Sequence, residues 1–178
     1  TTGAEIAKCE KNDITTYIGV PNETGLRPTK SVMIVPQTPE ETLSAILDFD
    51  QYHHWVPYCE NSSIVGRFGY SLYYFYQLLD MPLIKNRDMV IKVLVNRSIS
   101  NKITLSMMAA PNHIDLDLDA VRITLFKANY AIYQDKTTGR TMVEMENEVD
   151  PGGFIPTFAL NWASRSQPFE TFTNLKAH

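Results

Sequence analysis

The sequence predicts an α+β fold in which an antiparallel sheet curls around one long amphipathic helix near the C-terminal end. Three observations carry this. From Asn61 to Val149 almost every segment is rich in β-branched and aromatic residues, broken by short turn sequences. Helical periodicity occurs in two places, around residues 38–57 and again after residue 153. A sheet that is apolar on one face has to cover that face, and the final stretch is the element long enough to do it.

Residues 14–20 are rich in β-branched side chains and read as a strand ending at Pro21, and residues 22–28 are turn chemistry. A second short strand covers residues 31–35. A helix then starts with a mechanism: Thr38 caps, Pro39 takes the first helical position and Glu41 completes a capping box. Leu43, Ile46 and Leu47 give it one apolar face. Residues 50–57, with Tyr52 and Trp55, form a second short turn.

Residues 62–65 and 70–79 pair as a hairpin across residues 66–69, and residues 89–96 and 102–109 as another across residues 98–101. A third joins residues 121–134 to residues 141–149 through residues 137–139. In its second strand Glu144, Glu146 and Glu148 alternate with Val143, Met145, Asn147 and Val149. Successive side chains point to opposite faces, so one face is acidic and wet and the other mostly apolar. After Pro151-Gly152-Gly153 the period becomes helical. Phe158, Trp162, Phe169 and Phe172 share one stripe between Pro156 and Lys176, and Pro168 inside it predicts a kink near residues 164–166.

Composition narrows the function. The chain has 178 residues, 44% of them apolar and 11% aromatic, which is material for one domain with a sizeable core and argues against disorder. Its 16 basic and 20 acidic side chains give a net charge of −4, against the basic surplus that nucleic-acid binding needs. No apolar run is long enough to span a membrane as a helix. Cys9 and Cys59 are too few for a disulfide scaffold or a structural zinc site; they read as free thiols, with pairing in an oxidising compartment left open, and Cys9 stands ahead of the first strand. The chain begins at Thr1, so either a leader has been removed, which would go with a periplasmic or secreted protein, or the chain has been trimmed. The compartment stays open.

Four segments in order carry a resemblance. Thr38-Pro39-Glu40-Glu41 leads through Leu47-Asp48-Phe49 to Tyr52-His53-His54-Trp55-Val56-Pro57. The strand through residues 73–79 precedes Met81-Pro82 and Asn86-Arg87-Asp88. Asp150-Pro151-Gly152-Gly153 leads to Ile155-Pro156, and Asn161-Trp162-Ala163 runs through Pro168-Phe169-Glu170-Thr171 to Asn174-Leu175. In this order, over residues 5–176, the chain resembles the STAR-related lipid-transfer (START) family of the helix-grip superfamily, whose members include polyketide-cyclase-like proteins. Leu83-Ile84-Lys85 departs from the pattern, since many relatives carry a second proline and a serine before the Arg-Asp pair. The resemblance implies a curved sheet of about seven strands gripping the C-terminal helix and short helices after the second strand. It also implies an internal cavity for a lipid or other hydrophobic molecule, and no cofactor.

Such a cavity has a clear physical purpose. A bare acyl chain of about fifteen methylenes leaving a bilayer would lose on the order of 12 kcal/mol, at about 0.8 kcal/mol per methylene. On the apolar parity of each strand, the expected wall residues are Tyr74 and Tyr76, Ile91 and Val93, Leu105 and Met107, and Met145 and Asn147. Phe158, Trp162, Phe169 and Phe172 would come from the helix. The bland alternative for each is ordinary core packing. Seven methionines suit an adaptable lining. Asn147, on the inward parity, needs a hydrogen-bond partner from protein, water or ligand.

Catalytic and metal signatures are weak. His53 and His54 are adjacent and cannot form an i,i+4 metal pair. Asp115, Asp117 and Asp119 mimic the start of a calcium loop, but no glycine follows and Phe126 stands at the twelfth position. Arg87-Asp88 reads as an internal ion pair or a head-group contact. The expected function is therefore non-catalytic binding, and transfer, of a hydrophobic molecule, with transient contact to a membrane surface and none to nucleic acid. Alternatives are a cyclase-type enzyme on the same scaffold and a quinone-handling accessory protein. The ligand stays open among sterol, phospholipid, fatty acid, quinone and polyketide.

Overall fold

A computed structural model describes residues 5–23, 26–99, 101–117, 119–156 and 166–178. The chain first reverses at Asn12 and Asp13, whose φ angles of 55° and 62° suit the two-residue turn that matches strand twist. This joins β1 (Glu5–Lys11) to β2 (Ile14–Gly19), and β3 (Thr29–Val35) returns alongside. The sequence reading missed β1. Cys9 therefore lies within a strand, its Cα opposite Thr16, and not ahead of the first strand.

Helix α1 (Pro39–Leu47) begins with the expected capping box: the Thr38 hydroxyl accepts from the Glu41 N–H, and the Glu41 carboxylate accepts from the Thr38 N–H at 2.8 Å. A 3-10 turn (Phe49–Gln51) and α2 (Tyr52–Trp55) follow. The remaining strands are β4 (Cys59–Phe68), β5 (Leu72–Leu79), β6 (Arg87–Ile99), β7 (Lys102–Ala109), β8 (Val121–Arg122), β9 (Leu125–Gln134) and β10 (Thr141–Asp150). The chain closes with α3 (Gln167–Ala177).

Ten strands form one sheet in the order β1-β2-β3-β10-β9-β7-β6-β5-β4, antiparallel throughout, with β8 pairing parallel to β6 off this path. The strand count exceeds the seven or so implied by the resemblance because β1 is added at one edge and residues 121–134 divide into β8 and β9. Cys9 and Cys59 sit on the two opposite edge strands, and Cys59 is a free, buried thiol. Pro168 lies in the first turn of α3, where its missing N–H leaves no helical bond unmade, and residues 164 and 165, where the kink is expected, fall outside the described residues. Phe158 and Trp162 fall outside the described residues.

The sheet sorts its side chains as the alternation requires. In β10, Thr141, Val143 and Met145 are buried while Glu144 and Glu146 face outward beside Lys30 of β3, at 3.3 and 3.7 Å. On this outer face the Tyr133 hydroxyl donates to Glu144 at 2.6 Å. That bond, then burial, pushes the Tyr133 phenol up to about 12, and the same bond holds the Glu144 carboxyl below its ordinary value. The raised phenol stabilises the fold below pH 10.0 and loses that contribution as pH rises toward about 12. The lowered carboxyl stabilises above pH 4.5 and loses its contribution on further acidification. Tyr133→Phe is therefore expected to cost about 1 kcal/mol or less in the middle of this range. The difference from wild type should vanish at both extremes in urea unfolding followed against pH.

Candidate functional site

The strand registers bring one face of every central strand together. Val93 lies opposite Met107, Leu105 opposite Tyr130, Tyr130 opposite Met145, and Met145 opposite Ser31. Directly paired residues share a face. The concave wall thus runs from Ile14 and Met33 through Val143, Met145, Ala128, Tyr130, Leu105 and Met107 to Ile91, Val93 and Phe75. Each of these is buried in one continuous apolar cluster.

Of the expected wall residues, Ile91, Val93, Leu105, Met107, Met145 and Phe172 belong to this cluster, and Phe169 packs against it half-buried. Asn147 occupies the same face opposite Ala128, and the Thr29 hydroxyl donates to its side-chain oxygen, so its partner is protein. Tyr74 and Tyr76 are a correction. In β5 the inward residues are Tyr73, Phe75 and Gln77, which pair with Val93, Ile91 and Met89. The two tyrosines point to the outer face, where Tyr74 stacks on His113 with ring centroids 3.8 Å apart. Their misplacement has a physical cause: the stretch of residues 110–117 lies against that outer face through His113, so β5 is apolar on both sides and its alternation is hidden.

Three elements cover the concave face. Leu43 and Ile46 of α1 are fully buried, and α1 packs over β9. Phe49 stacks on Phe75 at 4.3 Å with an interplanar angle of 8°, and Tyr52 meets Trp55 edge-on at 4.4 Å. This aromatic group fills the space over β5. Helix α3 lies over β2 and β3 and is tied at two points: Asn174 Nδ2 donates to the Trp55 carbonyl at 3.0 Å, and Lys176 Nζ to the Asn12 carbonyl at 2.8 Å.

Apart from Arg87, which shares the inward parity of Met89 and Ile91 at the end of the sheet, the polar groups on this face are neutral. Thr16 and Ser31 bond each other at 3.0 Å. Gln77 is buried beside the Cys59 thiol, whose deprotonation is disfavoured chiefly by burial. Burial likewise pushes the Tyr130 phenol well up, and the Tyr52 phenol, which donates to the Ile46 carbonyl at 2.7 Å. Ser62 Oγ and Trp55 Nε1 are buried with no hydrogen-bond partner among the described residues. Arg87 and Asp88 are the buried charged residues among the described residues, the Arg122 side chain joins them at 6% exposed, and all three stand at one end of the sheet.

Arg87 and Asp88 do not pair with each other. The Asp88 carboxylate accepts from Arg122 Nε at 2.9 Å and Nη2 at 2.8 Å, with the two side chains 0% and 6% exposed. Arg122 was not singled out in the sequence. Its signal is the parallel pairing of β8 with β6, which two residues cannot announce in advance. Arg87 instead donates to carbonyls: Lys85, Pro151 at 3.4 Å, Gly152 at 3.1 Å and Phe154 at 3.5 Å. Burial works against its charge. The exposed His53 and His54 rings lie 3.9 Å apart, away from the concave face.

The same arrangement of sheet, short helices and C-terminal helix occurs in a STAR-related lipid transfer protein from Xanthomonas axonopodis. The two superpose with a TM-score of 0.86 over 100% of this chain and 98% of that one, at 21% identity. The fold is the START fold. Human StAR-related lipid transfer protein 5 shares the START fold at a TM-score of 0.81 and 18% identity, over 96% of this chain and 84% of that one. Human STARD10 matches at 0.76 and 17% identity, over 98% and 73%. No family model matches the chain. By sequence, it is similar to an uncharacterized protein of Pseudomonas aeruginosa, 25% identical over 124 residues, which are 69% of this chain and 60% of that protein. No helix among the described residues is long and apolar enough to cross a membrane.

Proposed function

We propose that this protein binds a lipid or other hydrophobic small molecule between the concave face of its sheet and its C-terminal segment, and carries it between membranes without catalysis. The observation that carries the reading is the composition of that face. Its centre combines apolar side chains of different size and flexibility, Ala128, Met107, Met145 and Ile91, with neutral hydrogen-bonding groups. Methionines repack around varied shapes at small cost. Asn147, Phe169 and Phe172 complete the wall, with Phe158 and Trp162 as further candidates. Similarity to proteins named for lipid transfer supports the same reading. Acid–base chemistry would call for a carboxylate or imidazole on this face, and the buried concave positions among the described residues have neither.

Incubation with a mixed lipid extract, repurification and mass spectrometry test the proposal. The expected result is one hydrophobic species recovered at about one copy per chain. Recovery of no stoichiometric ligand from extracts of several compositions overturns it.

A further inference from the structure

One end of the concave face holds a cation with no anion beside it. Arg87 pairs with Leu79 across β5 and β6, shares the inward parity of Met89 and Ile91, and is 2% exposed. Its acidic neighbour Asp88 turns to the other face and is taken by Arg122. The carbonyls of Lys85, Pro151, Gly152 and Phe154 accept from Arg87, but carbonyls solvate a charge without cancelling it. Nη1 bonds Lys85 alone and keeps its second hydrogen. Burial is the sole influence on the ionisation of this guanidinium, with no carboxylate near enough to oppose it.

Two more hydrogen donors at this end are orphaned. Trp55 Nε1 and Ser62 Oγ are buried and have no hydrogen-bond partner among the described residues. Ser62 lies opposite Gln77 of β5, and Gln77 opposite Met89. The Cys59 thiol stands beside Ser62, but a thiol is a weak partner and the geometry of a hydrogen bond is not met. Trp55 reaches the same end by another route. Its ring meets Tyr52, and the Tyr52 ring meets Phe75 edge-on at 5.2 Å. The turn that follows Trp55 is fixed to the end of β5, where the Asp80 N–H donates to the Tyr58 carbonyl at 2.9 Å. Each buried donor left without an acceptor costs stability, and an occupant of this place would remove that cost.

We infer that Arg87, Trp55 and Ser62 form a receptor for a singly charged oxyanion, carboxylate or phosphodiester, at the polar end of the cargo. Chemistry selects this head group. Guanidinium and indole only donate, so the occupant has to accept. One cation is present, so one negative charge closes the balance, and a phosphate monoester would bring a second charge without a partner. An alcohol would leave Arg87 uncompensated. The chain of such an amphiphile runs from this end over Ile91, Val93 and Met107 of the apolar face. This assignment rests on the proposed function and names the polar end of that cargo.

Calorimetric titration of the full chain with palmitate, hexadecanol and palmitoyl lysophosphatidylglycerol, at mildly alkaline pH, tests it. Wild type should bind palmitate or the lysophospholipid at least about tenfold more tightly than hexadecanol, the scale of one charge-assisted hydrogen bond. Whichever of the two binds tighter assigns the head group. Arg87→Met should abolish the preference over hexadecanol, and Arg87→Lys should keep most of it. Ser62→Ala and Trp55→Phe, which leave Arg87 in place, should each weaken the preferred anion more than hexadecanol. Ser62→Ala should also hold or raise the Tm of the ligand-free protein, because it removes an orphaned hydroxyl. Hexadecanol bound as tightly as both anions overturns the inference while leaving the cargo reading in place. So does undiminished anion binding by folded Ser62→Ala and Trp55→Phe. Binding of none of the three amphiphiles overturns it as well, and recovery of ligand from a lipid extract then decides the cargo reading separately.

Discussion

Arg122→Met is expected to lower stability by about 3–5 kcal/mol, the cost of leaving a buried carboxylate without its partner. Asp88 is 0% exposed and takes two guanidinium hydrogen bonds at 2.8 and 2.9 Å. Methionine keeps much of the arginine stem and removes the charge, so the loss reports the stranded Asp88 and not a cavity. Urea unfolding at neutral pH measures it as a fall in the midpoint. The double variant D88L/R122M should recover a substantial part, since removing both charges also removes the desolvation cost. Recovery will be incomplete because Arg122 also holds the carbonyls of Pro111, Ile114 and Asp115. A single-variant loss below about 1 kcal/mol would mean that water reaches Asp88 and that the pair behaves as a surface contact.

Phe172→Ala is expected to cost about 3–5 kcal/mol, the range for deleting a buried phenylalanine ring. The ring is 0% exposed on α3 and belongs to the main apolar cluster. Because α3 is otherwise held by Leu175 and by the bonds of Asn174 and Lys176, the variant should also lose amide protection in residues 168–177 before the sheet does. Hydrogen exchange with urea unfolding distinguishes the two effects. If the proposed function holds, the same variant retains less ligand on repurification, since the helix then closes the interior less tightly. Full stability with unchanged exchange would show that α3 is not part of the closed core.

The legible parts of this fold were those decided by neighbours in the chain. The capping box of Thr38 and Glu41 lies within one turn, and it appears as read. Strand β10 shows its buried face because Glu144, Glu146 and Glu148 mark the wet one, and β6 does the same through Lys92 and Asn96. Strand β5 carries no such marker. Leu72 through Leu79 is apolar or aromatic at seven of eight positions, so only pairing with β6 tells which half faces inward. Periodicity alone therefore favours Tyr74 and Tyr76, whereas the pairing turns Tyr73, Phe75 and Gln77 inward. Strand β1 was missed for the opposite reason: residues 5–11, with Glu5, Lys8, Glu10 and Lys11, carry a weak apolar signal, and edge pairing to β2 makes the strand.

What the sequence determined by itself is most of the elements, the turns between them and the apolar alternation of β6, β7 and β10, because these follow from propensities and periods acting over a few residues. The tertiary structure decided which face of β5 looks inward, that Asp88 belongs to Arg122 across 34 positions of chain, and that Arg87, Trp55 and Ser62 share one end of the concave face. Those outcomes depend on strand register and on loops closing over long separations. Their free energy comes from partners that no local stretch of sequence contains.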